Sequence, residues 1–453
     1  MKTVPRSKTA PAIQLLQWIL DPVSYLNTNF QRYGDIFYAT VSPFDSQSLV
    51  LVNHPQLLQY ILTHDTGKKL SAPGEANVLL ESLFGKNSVA LLSGQRHRRH
   101  RKLMMPPFYG DRLKAYANLI CQLTYEVMDQ WPVNQPFDVQ IAMQQITLKM
   151  MLKAVFGIYA GERYQRLEQL LAARLDMISS PLTAALLFFP ILQKVDLGPW
   201  SPGGRVRSIV EATDELILAE IQERRANLDP NRTDVLSLLL VAQDEDGNGL
   251  TDQELRDELT TLLIGGYETA STSLTWALYW THYLPEVRQK LQLELSSLGE
   301  SPDPMTLYQL PYLTAVCNET LRIYSAGVLT MPRRVEVPLE VMGYSLEPGM
   351  MLIGCIYLLH HREDLYPEPD RFYPERFLEQ QFSAYEFMPF GGGARRCIGS
   401  GLALYELRLV LGTILIHWDL ELVNKQPIKP KRRAGGIGPG VPVKLRKTNL
   451  RSR

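Results

Sequence analysis

Apolar positions recur at helical spacing over most of this chain, with short alternating or continuous apolar runs between them. The patch Ile13, Leu15, Leu16, Ile19 and Leu20, interrupted by glutamines, predicts a short amphipathic helix over 13–20. Arg32-Tyr33-Gly34-Asp35 reads as a turn leading into two paired strands, 36–41 and 49–52. Asn53-His54-Pro55 is placed to cap a helix over 56–63. Residues 71–92 read as loop, with Pro73, Gly74 and Gly85, and 111–240 read mainly as amphipathic helix. Thr251 and Glu254 form a capping box, and the pattern behind them predicts one helix over 252–283, ended by Pro285. At ~1.5 Å per residue that helix spans roughly 48 Å, enough to cross a globular protein. Further helices are expected over 311–324 and from Leu402 through Leu411, with strand-like segments and turns at Gly343 and Pro348-Gly349 between them. The fold expected is mainly α with small β-sheets, and no repeat or Gly/Ser linker divides 1–453.

Two places break the pattern in ways that packing alone does not require. Gly265-Gly266 stands in the middle of the long helix, where each glycine costs about 1 kcal/mol relative to alanine. Close helix packing explains such a pair, and so does a notch for a bound molecule. Glu268-Thr269 follows, an acid and a hydroxyl beside the notch. The second place is the loop Phe387-Met388-Pro389-Phe390-Gly391-Gly392-Gly393-Ala394-Arg395-Arg396-Cys397-Ile398-Gly399. Its glycines allow φ > 0 and close approach to a flat cofactor. A helix start, two arginines and loop amides near Cys397 favour thiolate over thiol. A glycine turn with a buried cysteine is the plainer reading of the loop taken alone.

Composition narrows the classes. Hydrophobic residues are 45% and charged residues 21%, and the 47 basic side chains balance 47 acidic ones. A nucleic-acid partner is therefore not indicated. The four cysteines contain no C-x-x-C pair, which excludes a zinc ribbon and fits a reducing cytoplasm. No apolar run reaches the length of an integral membrane anchor, although peripheral membrane contact stays open. The acidic turn Asp244-Glu245-Asp246-Gly247-Asn248-Gly249 lacks calcium-loop spacing, and His360-His361-Arg362 lacks a partner ligand, so both read as structural turns. The basic run 96–102 reads as a solvated helix face or a docking patch, with His97 and Arg101 sharing one face four residues apart.

Phe390, Gly393, Arg395, Cys397 and Gly399, at their spacings, resemble the cysteine-ligand signature of the cytochrome P450 family. Gly265-Gly266-Tyr267-Glu268-Thr269 resembles that family's oxygen-activation motif, with Ala270 where a second threonine is common. Glu319, Arg322 and Arg376 stand in the family's order for a buried charge triad. The resemblance covers essentially the whole chain and implies a single haem-thiolate monooxygenase domain. It implies haem b with Cys397 as axial ligand and Phe390 and Gly399 in the cofactor loop. His97, Arg101, Arg395 and Arg334 would hold the propionates, with Arg333 the alternative to Arg334. Glu268 and Thr269 would deliver protons. O₂ and a small hydrophobic substrate are implied, with electrons from a separate ferredoxin and its reductase. Family lid and substrate positions fall at Leu182–Phe189, Leu262-Leu263, Ala326–Leu329 and the hairpin around Ala434–Gly440. All are apolar or glycine-rich here, which points to medium- or long-chain fatty acids, with a terpene or alkane as the other possibility. A peroxide-using enzyme or a haem sensor is the remoter reading, since the acid–Thr pair is present and no output domain is seen.

Overall fold

The computed structural model describes residues 2–41, 49–179, 201–299, 301–433 and 436–450. The lid stretch Leu182–Phe189 and the hairpin tip Ala434-Gly435 lie outside them. The organising element is the helix Asp252–Tyr283, with the bounds the sequence predicts. Thr251 Oγ1 accepts the Glu254 amide while the Glu254 carboxylate accepts the Thr251 amide, completing the capping box. The helix is hydrophobic around much of its circumference because it is wrapped on several sides. Val139–Val155, Ser400–His417 and Pro311–Ile323 pack directly on it. Leu259, Leu263, Leu274 and Trp276 enter the largest core at 2% exposure or less.

Residues 111–240 are helical as expected, in the segments Asp111–Met128, Val139–Val155, Glu162–Ser179, Pro202–Ala226 and Val235–Val241. Two local expectations are corrected. A second helix, Pro22–Tyr33, follows the first, capped by the Asp21 carboxylate. Its apolar positions are sparse, and only the contacts of Tyr25 and Leu26 with the sheet reveal why it forms. Helix Pro55–Thr63 begins at His54 without any side-chain cap, its first turn fixed instead by Pro55. Ser400–His417 is long and apolar enough to cross a membrane, yet 72% of its window is buried in the protein.

The main sheet has five strands in the order Ile36–Ala39, Leu49–Val52, Met351–Gly354, Arg333–Val335, Leu70–Ser71. The two N-terminal strands pair as predicted, in antiparallel orientation, while Leu49–Val52 pairs parallel with Met351–Gly354. That non-local parallel pairing joins strands far apart in the sequence into one wall. A hairpin, Pro430–Arg433 with Gly436–Pro439, packs against the central helix.

Candidate active site

The cysteine loop is built by its backbone. Gly391 and Gly393 take φ of 65° and 64°, conformations that strain other residues. At Gly393 a Cβ would also lie 2.3 Å from Asp65 Oδ2, so glycine is required twice over. The Cys397 amide donates to the Phe390 carbonyl at 3.0 Å, closing the loop three residues before the helix Ser400–His417. Asp65 was not legible as a site residue. Its Oδ2 accepts the Ala394 amide at 2.9 Å and Arg333 Nε at 2.7 Å, tying loop and sheet together.

Between this loop and the central helix lies a cavity of about 440 Å³. Cys397, Phe390, Arg395 and Gly399 line it from the loop side, His97 and Arg101 from helix Gly94–Met104, and Thr269 from the central helix. Both notch glycines line the cavity, and they differ in the room beside them. Gly265 lines the cavity, and a Cβ there would meet no atom within 4 Å. Gly266 lines it too, but a Cβ there would stand 2.8 Å from the sulfur of Met151, another lining residue. The helix remains continuous through the notch, and Thr269 Oγ1 donates to the Gly265 carbonyl at 2.6 Å.

Two expected residues are placed elsewhere. Arg334 does not line the cavity; it pairs with Glu336 at 2.9 Å and is 43% exposed. Arg333 lines the cavity instead, at 1% exposure, because successive strand residues face opposite sides. The sequence held that signal, since Val335 is apolar and shares a face with Arg333. Glu268 is also absent from the lining. One residue along a helix turns the side chain by about 100°, and Glu268 faces Val139–Val155, where its Oε2 accepts Gln144 Nε2 at 3.1 Å. Its other oxygen is paired with Arg433.

The electrostatics fit a bound anion with a metal-binding plane. His97, Arg101, Arg333 and Arg395 gather at one cavity, with the buried Asp65 carboxylate paired to Arg333. Burial, then the charge of Arg333, pushes the Arg395 guanidinium down to about 10. Burial, then Arg395 and Arg101, pushes His97 down to about 3. Arg395 spends its terminal nitrogens on the carbonyls of Val89, Ala72 and Leu92, while its Nε has no protein partner. Such cation crowding is what the two propionates of a haem would relieve. The Cys397 thiol lines the cavity; burial raises its pKa, opposed by the Gly399 amide and the charges of Arg101 and Arg396. The amide and the two charges act in the direction the sequence suggests, and a coordinated metal deprotonates a thiol outright. The residues present fit haem.

Charge partners account for Arg99, His100 and Lys102 of the basic run. Arg99 pairs with Asp244 at 2.5 Å and Lys102 with Glu245 at 2.5 Å, so the acidic turn serves as their counter-charge. His100 is buried between Glu258 at 2.7 Å and Glu254 at 3.2 Å, fixing helix Gly94–Met104 to the central helix. Glu319, Arg322 and Arg376 do form a buried cluster, with contacts of 2.7 and 3.2 Å. His360 accepts the Met388 amide at 2.9 Å through Nε2 and bonds the Arg322 carbonyl through Nδ1 at 3.1 Å, linking that cluster to the cysteine loop. No metal-ligand cluster of His, Cys, Asp and Glu occurs among the described residues.

Glu406 escaped sequence reasoning altogether. It lines the cavity from the cysteine helix at 3% exposure, and its Oε1 has no partner. Burial raises its carboxyl from 4.5 to about 8. The folded protein thus keeps a proton that the unfolded chain releases near 4.5, so stability falls as pH rises through that interval. A shift of this size corresponds to roughly 4–5 kcal/mol. Glu406→Gln is expected to remove that pH dependence and to be the more stable protein at pH 8.5. Urea unfolding of both proteins at pH 5 and 8.5 checks this; equal slopes with pH in the two proteins would refute it.

The comparisons with known proteins agree with this geometry. The cytochrome P450 family profile matches residues 5–445. Cytochrome P450 135B1 of Mycobacterium tuberculosis is similar, at 33% identity over 428 residues, covering 94% of this chain and 87% of that protein. Cytochrome P450 138 of the same organism is 33% identical over 430 residues, covering 92% and 90%. A solved cyanobacterial structure, CYP120A1 bound to retinoic acid, superposes with a TM-score of 0.84 at 21% identity over 99% of each chain. With its cysteine loop, glycine notch and cation-ringed cavity, the chain belongs to the cytochrome P450 family and is a haem-dependent monooxygenase.

Proposed function

We propose that this monooxygenase hydroxylates medium- or long-chain fatty acids. The observation that carries the reading is the apolar lining that surrounds the notch and leads away from Cys397. Phe84, Val89, Ala90, Leu262, Ala326, Leu329 and Ile356 contribute it, with the hydroxyls of Thr261 and Thr269 among them. The retinoic acid of the cyanobacterial neighbour, a carboxylic acid on a long apolar skeleton, supports the same substrate chemistry.

When bound, haem b supplies reductive activation of O₂, with one oxygen inserted into the substrate and the other leaving as water. This chain's residues do the rest. Cys397 would supply the thiolate ligand to the haem iron. His97, Arg101, Arg395 and Arg333, the last in place of Arg334, would hold the propionates, while Phe390 and Gly399 shape the cofactor loop. The Thr269 hydroxyl, resting on the Gly265 carbonyl, holds a proton at the notch, and Glu268 resupplies it. The apolar wall excludes water and aligns the chain of the substrate. The protein acts as a single domain in the cytoplasm and receives electrons from a separate ferredoxin with its reductase. All four cysteines are unpaired, in keeping with a reducing compartment. Exposed Ile13, Leu16 and Leu20 on helix Pro11–Leu20 suit peripheral contact with a lipid surface.

Optical titration with fatty acids of graded length and with a terpene panel tests the substrate, followed by product analysis with redox partners. Several adjacent chain lengths should produce a high-spin shift, because one methylene is worth only ~1–3 kcal/mol in an apolar pocket. A shift and a hydroxylated product with a terpene, and none with any fatty acid, would assign the site to terpenes and leave the monooxygenase in place.

A further inference from the structure

The carboxylate expected to serve the cavity is held away from it by the C-terminal hairpin. Arg433 Nε is paired with Glu268 Oε1, and Gln144 holds Oε2, in a setting that leaves Glu268 7% exposed. Arg433 stands opposite Gly436 in the hairpin register. Gly436 in turn lies backbone-to-backbone on the cavity wall: a Cβ there would come within 2.1 Å of the Ala326 carbonyl oxygen, and Ala326 lines the cavity. Trp276 Nε1 donates to the Ile437 carbonyl at 3.0 Å, so the hairpin is pinned to the central helix a second time. One rung of the hairpin therefore touches the cavity wall at one end and the Glu268 carboxylate at the other.

We propose that Arg433 is a positioning residue for proton delivery, coupling occupancy of the cavity at Ala326 to the orientation of the Glu268 carboxylate. With the pair intact, the carboxylate is committed to two donors and cannot turn toward Thr269. Pressure on Ala326 moves Gly436, and with it Arg433. The released carboxylate takes one proton from solvent and passes one proton to the Thr269 hydroxyl, ending each cycle unchanged. The proposal rests on the reading of Glu268 as a proton carrier. It adds that substrate, through the hairpin, controls when that carrier acts, so reductant is not spent on an unoccupied site.

The test uses the haem-loaded protein with Arg433→Ala, Arg433→Lys, Glu268→Gln and the double variant Arg433→Ala/Glu268→Gln. Thermal unfolding needs no turnover. Without ligand, the two single losses in Tm should overlap in the double variant, the mark of a direct pair. The ligand probe is 4-phenylimidazole, whose nitrogen ligates ferric iron and whose ring fills the cavity. At saturation the Tm loss of Arg433→Ala should shrink by at least half. The second readout is substrate-free consumption of reductant with a surrogate ferredoxin and reductase. It should rise several-fold in Arg433→Ala, stay near the parent in Arg433→Lys and return to the parent rate in the double variant. A Tm loss equal with and without 4-phenylimidazole would make the pair purely structural and overturn the proposal. Unchanged product formation and coupling in Glu268→Gln alone would overturn it through the underlying reading. The two failures are separable because only the second involves turnover.

Discussion

Cys397→Ser abolishes the long-wavelength thiolate-type band of the reduced carbon monoxide complex while the protein stays folded. The expectation follows from where the sulfurs are. Cys397 is the one thiol on the cavity wall among the described residues. Cys317 and Cys355 are wholly buried elsewhere, and burial pushes their thiols up to about 12. Cys121 sits beside Thr413, also away from the cavity. No other thiolate can therefore replace it, and a serine oxygen does not push electron density onto iron as a thiolate does. The loop should survive the change, because its shape depends on Gly391, Gly393, Asp65 and the Cys397 amide, none of which the substitution touches. Far-ultraviolet circular dichroism and the carbon monoxide difference spectrum read the two halves separately. A variant that keeps the thiolate-type band would show that Cys397 is not the ligand.

Glu319→Gln is expected to cost the most stability. Its carboxylate is fully buried, accepts Arg322 Nε at 2.7 Å and Arg322 Nη2 at 2.8 Å, and takes Arg376 Nε at 3.2 Å and the Tyr373 amide at 2.9 Å. Glutamine has nearly the same volume but no charge, so two guanidinium groups lose their counter-ion in a dry site. Breaking a buried charge cluster by removing one partner typically costs about 3–5 kcal/mol. The damage should reach the haem site, because Arg322 donates to the His360 carbonyl and His360 holds the Met388 amide at the head of the cysteine loop. Loss of haem retention is expected at temperatures where the parent keeps it, read as the yield of holoprotein and its thermal midpoint. An exposed pair such as Arg371 with Glu368 serves as the control and should change stability by less than about 1 kcal/mol. Equal effects at the two sites would refute the argument.

Much of this protein was legible from local pattern. The bounds of the helix Asp252–Tyr283 follow from its capping box and Pro285, and the N-terminal strand pair follows from its apolar runs. Those signals are local, and local geometry does not depend on what packs above it. The cavity-facing places of Cys397, Arg395, His97, Arg101 and Thr269 agree with what the family resemblance implied; spacing alone put His97 and Arg101 on one helix face and no more.

Tertiary structure decided whatever depends on a distant partner. Whether Arg333 or Arg334 reaches the cavity depended on the face the strand turns inward, which pairing with Met351–Gly354 sets. Glu268 adjoins Thr269 in sequence, yet helical rotation and the presence of Arg433, 165 positions away, aim its carboxylate elsewhere. Asp65, His100 and Glu406 carry no motif, and their roles exist only because folding removes water and supplies, or withholds, a partner. The sequence by itself determined the helices, the thiol and the notch. The electrostatic field around them is a property of the packed chain, because a charge acquires its energy from its neighbours and its burial.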